Sequence, residues 1–299
     1  MRRLFFIVFC MWTLPVWGRP FQDSLQAWPA ELDYSVDSTY RCHDQQIFFP
    51  GEVMEYQLFF SFIKVGEATM KIDRSLYEVS SRPCYYVKVD GKTTGFFSTI
   101  AKIRNTWGSF IDTVSIVPQL FYRNIREMKY RKKEIYLFDH KYDTVYVEHR
   151  DKKSGKYRKT TSFRVPNNVQ DMISGFYYLR TLDFDTIRSG DVFTVPGFYK
   201  DSVYNLHVKY LRREIINTKL GKRVALVMQP FMPDNGVFNK GSSITAWISD
   251  DDYRIPLKVK ANLKVGAGIV EIKRYIPGRT LRDKVKDLPP LRSFVRPRF

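Results

Sequence analysis

The sequence predicts a mainly β protein, in which a strongly curved antiparallel sheet or half-open β-barrel packs against one main α-helix. Hydrophobic residues make up 44% and aromatic residues 16% of the 299 residues, which is enough to build a large core and excludes wholesale disorder. Many short segments alternate polar with apolar residues and are separated by turn residues, the pattern of sandwiches and barrels. One segment alone has the spacing of a buried helix.

The first eighteen residues have the anatomy of a secretory signal peptide. Met1-Arg2-Arg3 is basic, residues 4–14 are almost wholly apolar, and Val16 and Gly18 suit the small-residue positions before a cleavage site. We expect cleavage after Gly18 and export to the periplasm or cell envelope. The alternative is an uncleaved membrane anchor, but a spanning helix needs about 20 apolar residues. No later segment is long and apolar enough to span a bilayer.

Residues 19–47 form a polar lead-in, and residues 48–276 are expected to form a single β-rich domain. Alternation through residues 53–63 predicts a first strand, Lys64 to Glu67 a turn, and Asp90-Gly91 a hairpin turn. The hairpin 144–163 is predicted with a tip at residues 152–156. Further strands are predicted at 68–77, 84–89, 134–139, 144–149, 192–195, 203–210, 212–219, 223–227, 243–248, 257–263 and 267–274.

The predicted helix covers residues 168–181. Its apolar residues recur at steps of three and four, and Asn167 or Asn168 can cap its start because the side-chain oxygen accepts an orphan N–H. We expect the apolar stripe to lie against the concave face of the sheet. The stripe consists of Val169, Met172, Ile173, Phe176, Leu179 and Leu182, whereas Gln170, Asp171, Ser174 and Arg180 fall largely off it.

Residues 277–299 form a basic, proline-containing tail. From Arg279 onward it has seven Lys or Arg residues against two Asp, and Pro289, Pro290 and Pro297 oppose regular structure. We expect this tail to be mobile or to lie on the surface.

Two of the three cysteines are expected to remain after the signal peptide is removed. An oxidising compartment favours a disulfide between Cys42 and Cys84. The bond would close a loop of about 43 residues and contribute about 4 kcal/mol by the chain-entropy estimate. The alternative is two unpaired thiols, because sequence spacing does not show whether the two Cα atoms lie within reach.

The sequence gives no catalytic, cofactor-binding or metal-ligating residues that we would assign. The four histidines lack the spacing of a zinc site, and no nucleophile elbow or phosphate-binding glycine motif occurs. Asp250 to Asp252 could gather a hard cation, but a solvated turn is the simpler interpretation. Asp139 could orient His140, but adjacent strand residues point to opposite faces, so we expect an exposed histidine at a strand end.

Positive charge is the clearest anomaly. The formal net charge is +18, and residues 123–164 carry fourteen Lys or Arg against six Asp or Glu. Behind a signal peptide, nucleic acid is a poor partner, so anionic lipid, lipoprotein or envelope polysaccharide is favoured; the alternative is a solvated basic face that aids solubility. The candidate contacts are Arg131, Lys132, Lys133, Lys152, Lys153, Lys156, Arg158 and Lys159.

Several motifs together resemble a bacterial family, domain of unknown function 3108, over about residues 47–275. The resemblance implies an exported β-rich envelope protein without an assigned activity, and at fold level it implies the curved half-barrels of periplasmic lipoprotein carriers. It transfers no functional residues. The motifs are Phe49 to Glu52 with Tyr56, Ile63 to Ala68, Asp90 to Phe96, Gln170 to Arg180, and Trp247 to Pro256 running into Leu263 to Gly266.

These observations favour a non-enzymatic binding or scaffold module for an anionic or amphipathic envelope component, with no cofactor. An enzyme acting on cell-wall or surface glycans is one alternative, and a cleft lined by two carboxylates about 5–9 Å apart would favour it. A protein–protein assembly factor is another, which a large exposed apolar patch would favour.

Overall fold

The computed structural model describes residues 40, 41, 45, 47–151, 154, 156–231, 244–263, 266–278 and 292–293. The predicted signal peptide, most of the lead-in and most of the tail lie outside these residues. So do Cys42, Lys152 and Lys153, three of the residues singled out from the sequence.

The described chain is dominated by one antiparallel sheet, which confirms the mainly β prediction. Strands β1 to β8 lie side by side in chain order, and β1 also pairs with β14, from which the order runs back through β13 to β9. The strands are β1 (Val53–Phe60), β2 (Ile63–Val79), β3 (Arg82–Thr93), β4 (Arg104–Asp112), β5 (Pro118–Glu127), β6 (Tyr130–Asp139), β7 (Thr144–Arg150), β8 (Tyr157–Arg164), β9 (Val192–Tyr199), β10 (Ser202–Thr218), β11 (Gly221–Phe231), β12 (Ile244–Ser249), β13 (Pro256–Asn262) and β14 (Ala267–Ile276).

A short strand in the predicted tail, β15 (Arg292–Ser293), joins the same sheet. It pairs in parallel with Tyr77 and Glu78 of β2. A part of the tail therefore has regular structure, although Pro289 and Pro290 directly precede it in the sequence.

The sheet curves until its two edge strands approach each other, but it does not close. β8 and β9 share no ladder, and the rings of Phe163 and Phe198 meet across the gap at 5.4 Å between centroids. The chain after β8 lies along β9, where the Gln170 N–H donates to Pro196 O at 2.8 Å and the Phe198 N–H donates to Gln170 O at 2.8 Å. The barrel is therefore open as a sheet, and a connecting segment with its side chains occupies the seam.

Two helices complete the described fold: the single turn α1 (Phe97–Ile100) and the main helix α2 (Met172–Arg180). Helix α2 begins later than predicted because Asp171, not an asparagine, caps it. Asp171 Oδ1 accepts from the N–H groups of Ile173 at 2.6 Å and Ser174 at 2.8 Å, and Ser174 Oγ accepts from Asp171 N–H at 2.9 Å. Asn168 has a φ of +54°, outside the right-handed helical region.

The concave face of the sheet covers the polar side of α2 as well as its apolar side. Tyr177 and Ile173 belong to the main core, together with Phe48 before β1 and with side chains from both halves of the sheet. Asp171, Ser174 and Arg180, which fall off the apolar stripe in the sequence, are buried as well. The polar side of the helix therefore faces protein groups and needs partners there.

Those partners fix the helix at each end. At its start, Ser109 Oγ of β4 donates to Asp171 Oδ2 at 2.6 Å. At its last residue, the Arg180 guanidinium, 2% exposed, donates from two nitrogens to the two carboxylate oxygens of Glu52, each at 2.8 Å. Arg180 also donates to Tyr253 O, and Arg254 donates to the carbonyl oxygens of Arg180 and Leu182.

Some strand limits differ from the sequence prediction. The first turn is at Ser61-Phe62, and Gly66 lies inside β2, where a Cβ would stand 2.6 Å from Lys92 O. Gly66 therefore serves a close approach of two strands and not a turn. Asp90-Gly91 lies within β3, so the predicted hairpin turn is wrong, and β4 and β5 were missed.

A substitution of Arg180 tests whether the helix depends on its buried ion pair. Arg180→Ala leaves the Glu52 carboxylate buried without its counter-charge, which costs about 3–5 kcal/mol of unfolding free energy. The double variant Glu52→Gln, Arg180→Met removes both charges and keeps most of the volume, so its cost should be clearly smaller. Denaturant unfolding measures both. An Arg180→Ala loss within about 0.5 kcal/mol, the usual range of a surface substitution, would contradict the account.

Candidate functional site: the hairpin tips and the buried carboxylate Glu134

Among strands β1 to β8, four hairpins open at the same end of the sheet, because these strands alternate in direction and lie in chain order. We call this end the tip end. It consists of the connections β1–β2 (61–62), β3–β4 (94–103), β5–β6 (128–129) and β7–β8 (151–156), with the first residues of the strands that follow them. The predicted basic residues all belong to the last two of these hairpins.

The structure separates the predicted basic residues at the β5–β6 turn into different environments. Arg131 Nη1 donates to the carbonyl oxygens of Met128 at 2.6 Å and Tyr130 at 2.9 Å, so part of its donor capacity holds the turn. Lys132 points to the concave side, where its Nζ lies 2.8 Å from Glu134 Oε1. Lys133 is only 6% exposed, so its role as a contact for a large anionic partner is not supported.

The cations of the β7–β8 hairpin are more accessible. Lys156, Arg158 and Lys159 are exposed, and the last two lie on β8, an edge strand of the sheet. Lys156 and Arg158 form no ion pair with another residue in the described part of the chain. Charged side chains also keep edge strands from pairing with other chains, so edge protection is the simpler interpretation against which a binding role must be tested.

Behind these cations lies a buried carboxylate that the sequence analysis did not single out. Glu134 of β6 is fully buried, and Arg123 of β5 donates to its Oε2. Tyr136 Oη donates to the same oxygen at 2.9 Å, and His149 Nδ1 of β7 lies 3.1 Å from Oε1. With Lys132, four side chains from three adjacent strands converge on one carboxylate.

The surroundings of Glu134 favour its ionised form. Burial acts to raise the pKa of Glu134, but the hydrogen bond to His149 and the charges of Arg123 and Lys132 outweigh it and hold the pKa below its usual range. The Arg123 guanidinium lies 5.0 Å from the ring centroid of Tyr199 and 5.6 Å from that of Tyr136. These contacts tie β9 to β5 and β6 across the seam of the barrel.

A second buried carboxylate, Glu127, lies at the end of β5 beside the tips. Asn105 Nδ2 of β4 donates to Glu127 Oε1 at 2.7 Å, and Asn105 Oδ1 accepts from the backbone N–H of Arg126 at 2.9 Å. Burial raises the pKa of Glu127 above its ordinary value, although the hydrogen bond from Asn105 opposes that shift. This pair fastens the β3–β4 and β5–β6 hairpins to each other.

His140 is buried, so the expectation of an exposed strand-end histidine is wrong. Its Nε2 lies 2.7 Å from Pro118 O, and its ring packs between Phe138 and Tyr40. Burial lowers the pKa of His140 to about 4, which leaves the imidazole neutral near pH 7. Its orientation toward a backbone carbonyl gives it a structural role.

The aspartates 250–252 lie in the exposed connection between β12 and β13, as the solvated-turn interpretation predicted. Asp251 Oδ1 organises that turn by accepting from Ser249 Oγ at 2.7 Å and from the N–H groups of Tyr253 and Arg254, each at 3.1 Å. Among the described residues, no group of three His, Cys, Asp or Glu side chains could hold a metal ion.

Cys84 is buried in β3 and has no disulfide partner among the described residues. Its Sγ lies 3.4 Å from Arg82 O, and burial holds the pKa of the thiol well above its ordinary value. Such a thiol is a weak nucleophile. Because Cys42 lies outside the described residues, the disulfide between the two stays a prediction.

The fold and the buried groups define a class of protein: an open, β-barrel-like sheet that encloses one helix. The chain belongs to the family described as protein of unknown function (DUF3108), whose model matches residues 55–273. This finding confirms the family resemblance seen in the sequence. No curated protein matches the sequence.

The solved structures that are similar to this chain have low sequence identity to it. A β-barrel-like protein of domain of unknown function DUF1849 from Brucella abortus is 9% identical, covers 78% of this chain and 100% of its own, and has a TM-score of 0.52. A protein with a YmcC-like fold from Bacteroides fragilis, inferred to be exported, is 9% identical with a TM-score of 0.31 over 77% of this chain and 99% of its own. A protein from Parabacteroides distasonis, inferred to be a lipoprotein, is 10% identical with a TM-score of 0.27 over 78% and 100%.

Acid titration of a Glu134 variant tests the role of the buried carboxylate. Because the folded state depresses the pKa of Glu134, its stabilising contribution is complete above the unfolded value of about 4.3 and is lost as pH falls through the folded value. Glu134→Gln should therefore lose about 3–5 kcal/mol of unfolding free energy at pH 7, where Arg123 becomes a buried unpaired charge.

The difference in unfolding free energy between wild type and Glu134→Gln should shrink as pH falls below about 4.3. Glu78→Gln, at an exposed position of β2, is the matched control and should be nearly neutral throughout. A difference that stays constant from pH 7 to pH 3 would show that Glu134 acts by packing and not by charge.

Proposed function

We propose that the protein is an exported, non-enzymatic binding module of the bacterial cell envelope, which holds an anionic or amphipathic component at its tip end. The observation that carries this proposal is the exposed set Lys156, Arg158 and Lys159, which lies on a hairpin whose strands contact His149, the partner of Glu134. A lipid, a lipoprotein or a glycan of the envelope can supply the opposite charge.

Export is supported by the sequence of the first eighteen residues, with its basic start and short apolar run. None of the helices in the described part of the chain is long and apolar enough to cross a membrane. An envelope location also makes lipid headgroups and acidic glycans the abundant polyanions, in place of nucleic acid.

The side-chain contacts that join β6, β7 and β8 support binding over simple solvation. His149 Nε2 of β7 lies 3.2 Å from Thr161 Oγ1 of β8, while its Nδ1 lies 3.1 Å from Glu134 Oε1. β8 is thus linked through a side chain to the buried carboxylate two strands away. Cations on a fixed strand lose less conformational freedom when they bind than cations on a flexible loop do.

The concave side of the sheet is filled with packed side chains. We therefore place the proposed binding surface on the outside of the protein. Helix α2 places Tyr177 and Ile173 in the core, and Phe48 packs on the Tyr177 ring with 4.6 Å between centroids. Val145 and Val147 of β7 belong to the same buried cluster. A ligand that entered there would have to displace packed side chains, whereas one that binds the tips would not.

The buried carboxylates give the glycan-hydrolase alternative little support. Glu52 is held by Arg180, Glu134 by Arg123, and Asp112 by Arg82. A general acid in a glycosidase needs a raised pKa and access to substrate. Burial raises the pKa of Asp171 to about 6, but its oxygens cap helix α2 and accept from Ser109 inside the barrel.

A charge reversal at the basic hairpin tests the proposal. We expect the protein to bind vesicles rich in anionic lipid, to release them as salt rises, and to ignore neutral vesicles. Lys156→Glu, Arg158→Glu, Lys159→Glu should weaken this binding at least about tenfold, since each cation near such a surface contributes about 1 kcal/mol. Co-sedimentation across a range of lipid concentrations measures the affinity.

The matched control reverses three exposed cations at the opposite end of the sheet: Lys219→Glu, Lys222→Glu, Arg223→Glu. This variant has the same net charge as the test variant, so it separates position from overall charge. If both variants weaken vesicle binding equally, the interaction is a non-specific electrostatic attraction and does not depend on the basic hairpin. Binding of wild type to neither kind of vesicle nor to anionic envelope glycans would contradict the proposed function.

A further inference from the structure

The tip end exposes large apolar side chains next to its cations. Phe62 in the β1–β2 turn is 88% exposed and Phe96 in the β3–β4 connection is 74% exposed, the two highest values for large apolar residues in the described part of the chain. Ile100, Met128, Tyr130 and Tyr157 at the other tips are exposed as well. The opposite end also exposes apolar side chains, Tyr142 and Ile215 among them, but the two most exposed ones lie at neighbouring tips, and an exposed apolar patch marks a candidate interaction surface.

Phe96 is held outward by the structure beneath it. The neighbouring Phe97 packs against the main core, and the two rings lie edge to face at 6.2 Å between centroids. Thr93 Oγ1 donates to Ala101 O at 2.9 Å and accepts from Ile103 N–H at 3.1 Å, which closes the base of the loop. The ring of Phe96 therefore has a rigid base from which it projects away from the protein.

Phe62 is held outward in a similar way. The N–H of Ser61 donates to Ala267 O of β14 at 2.6 Å, which ties the turn to the adjacent strand. Gly266 has a φ of +74°, and a Cβ there would stand 2.8 Å from both Phe60 Cζ and Ser61 Oγ. The turn is thus packed tightly against its neighbour while Phe62 remains in solvent.

The tips also share a spacing and a charge. Neighbouring strands lie about 4.8 Å apart, so successive tips are about 10 Å apart along the curved rim. Exposed cations stand beside the apolar side chains: Lys102 and Arg104 follow Phe96 and Ile100, Lys129 follows Met128, and Lys156 and Arg158 flank Tyr157. Apolar side chains flanked by Lys, Arg and Tyr are typical of surfaces that enter the headgroup region of an anionic bilayer.

We propose that the tip end docks on an anionic lipid bilayer by inserting Phe62 and Phe96 below the headgroups, while the neighbouring cations contact lipid phosphates. This inference rests on the proposed function and names its partner, a lipid surface. It adds an apolar component that salt does not screen, so attraction by charge and insertion of side chains can be measured apart.

Brominated lipids test insertion directly. Phe62→Trp and Phe96→Trp, each compared with wild type to subtract the native tryptophans, should gain fluorescence on anionic vesicles and should be quenched by bromine on the acyl chains. Phe62→Ser, Phe96→Ser should lower the affinity for anionic vesicles at least about tenfold, because burial of a phenylalanine side chain is worth more than a factor of ten. Residual binding of this variant should remain sensitive to salt.

The matched control is Tyr142→Ser, Ile215→Ser, which removes two exposed apolar side chains from the opposite end and should leave the affinity unchanged. Salt-sensitive binding with no quenching and full affinity of Phe62→Ser, Phe96→Ser would overturn insertion and leave the proposed function standing. No binding of wild type to any vesicle would overturn insertion as well. If wild type binds no lipid but forms a dimer that the same serine substitutions dissociate, the tip end contacts a second copy of the chain instead.

Discussion

The structure depends on the burial of helix α2, with its polar as well as its apolar side chains, inside a curved sheet. Helix α2 has buried polar groups at both its first and its last turn, and each finds its partner on a distant strand or at the start of one. The bidentate pair of Arg180 with Glu52 joins residues 128 positions apart in the chain. If this pair did not form, a guanidinium and a carboxylate would remain buried without compensation, and the sheet would have to open to hydrate them.

Much of the fold could be predicted from the sequence, because strands and turns leave local signals. Period-two alternation identified most of the strands, and a single run with helical spacing identified α2. The errors have physical reasons. Asn168 has the chemistry of a helix cap, but its left-handed backbone and the contacts of Asp171 move the start of the helix. Gly66 serves as a close-contact site, although a glycine in that sequence indicates a turn.

The candidate site was harder to predict than the fold, because its key contacts join different strands. Alternation places Lys132, Glu134 and Tyr136 on one face of β6, a signal that was present in the sequence. It does not show that Arg123 and His149 face them, since that depends on the registers of two further strand pairs. The structure places the predicted basic residues in different environments. Lys133 is buried, Lys132 pairs with Glu134, and the cations of β8 lie at the surface. The aromatic tips carried no sequence signal of exposure.

We assign different roles to the two ends of the sheet. One end is fastened by helix α2 and its ion pair, and the other presents Phe62, Phe96 and exposed cations. The orientation of the protein on a membrane tests that division most directly. Neutron reflectometry on a supported anionic bilayer should find a bound layer whose tip end faces the lipid, with scattering density that reaches below the headgroups. A bound layer whose opposite end faces the lipid, or no bound layer at low salt, would contradict the account.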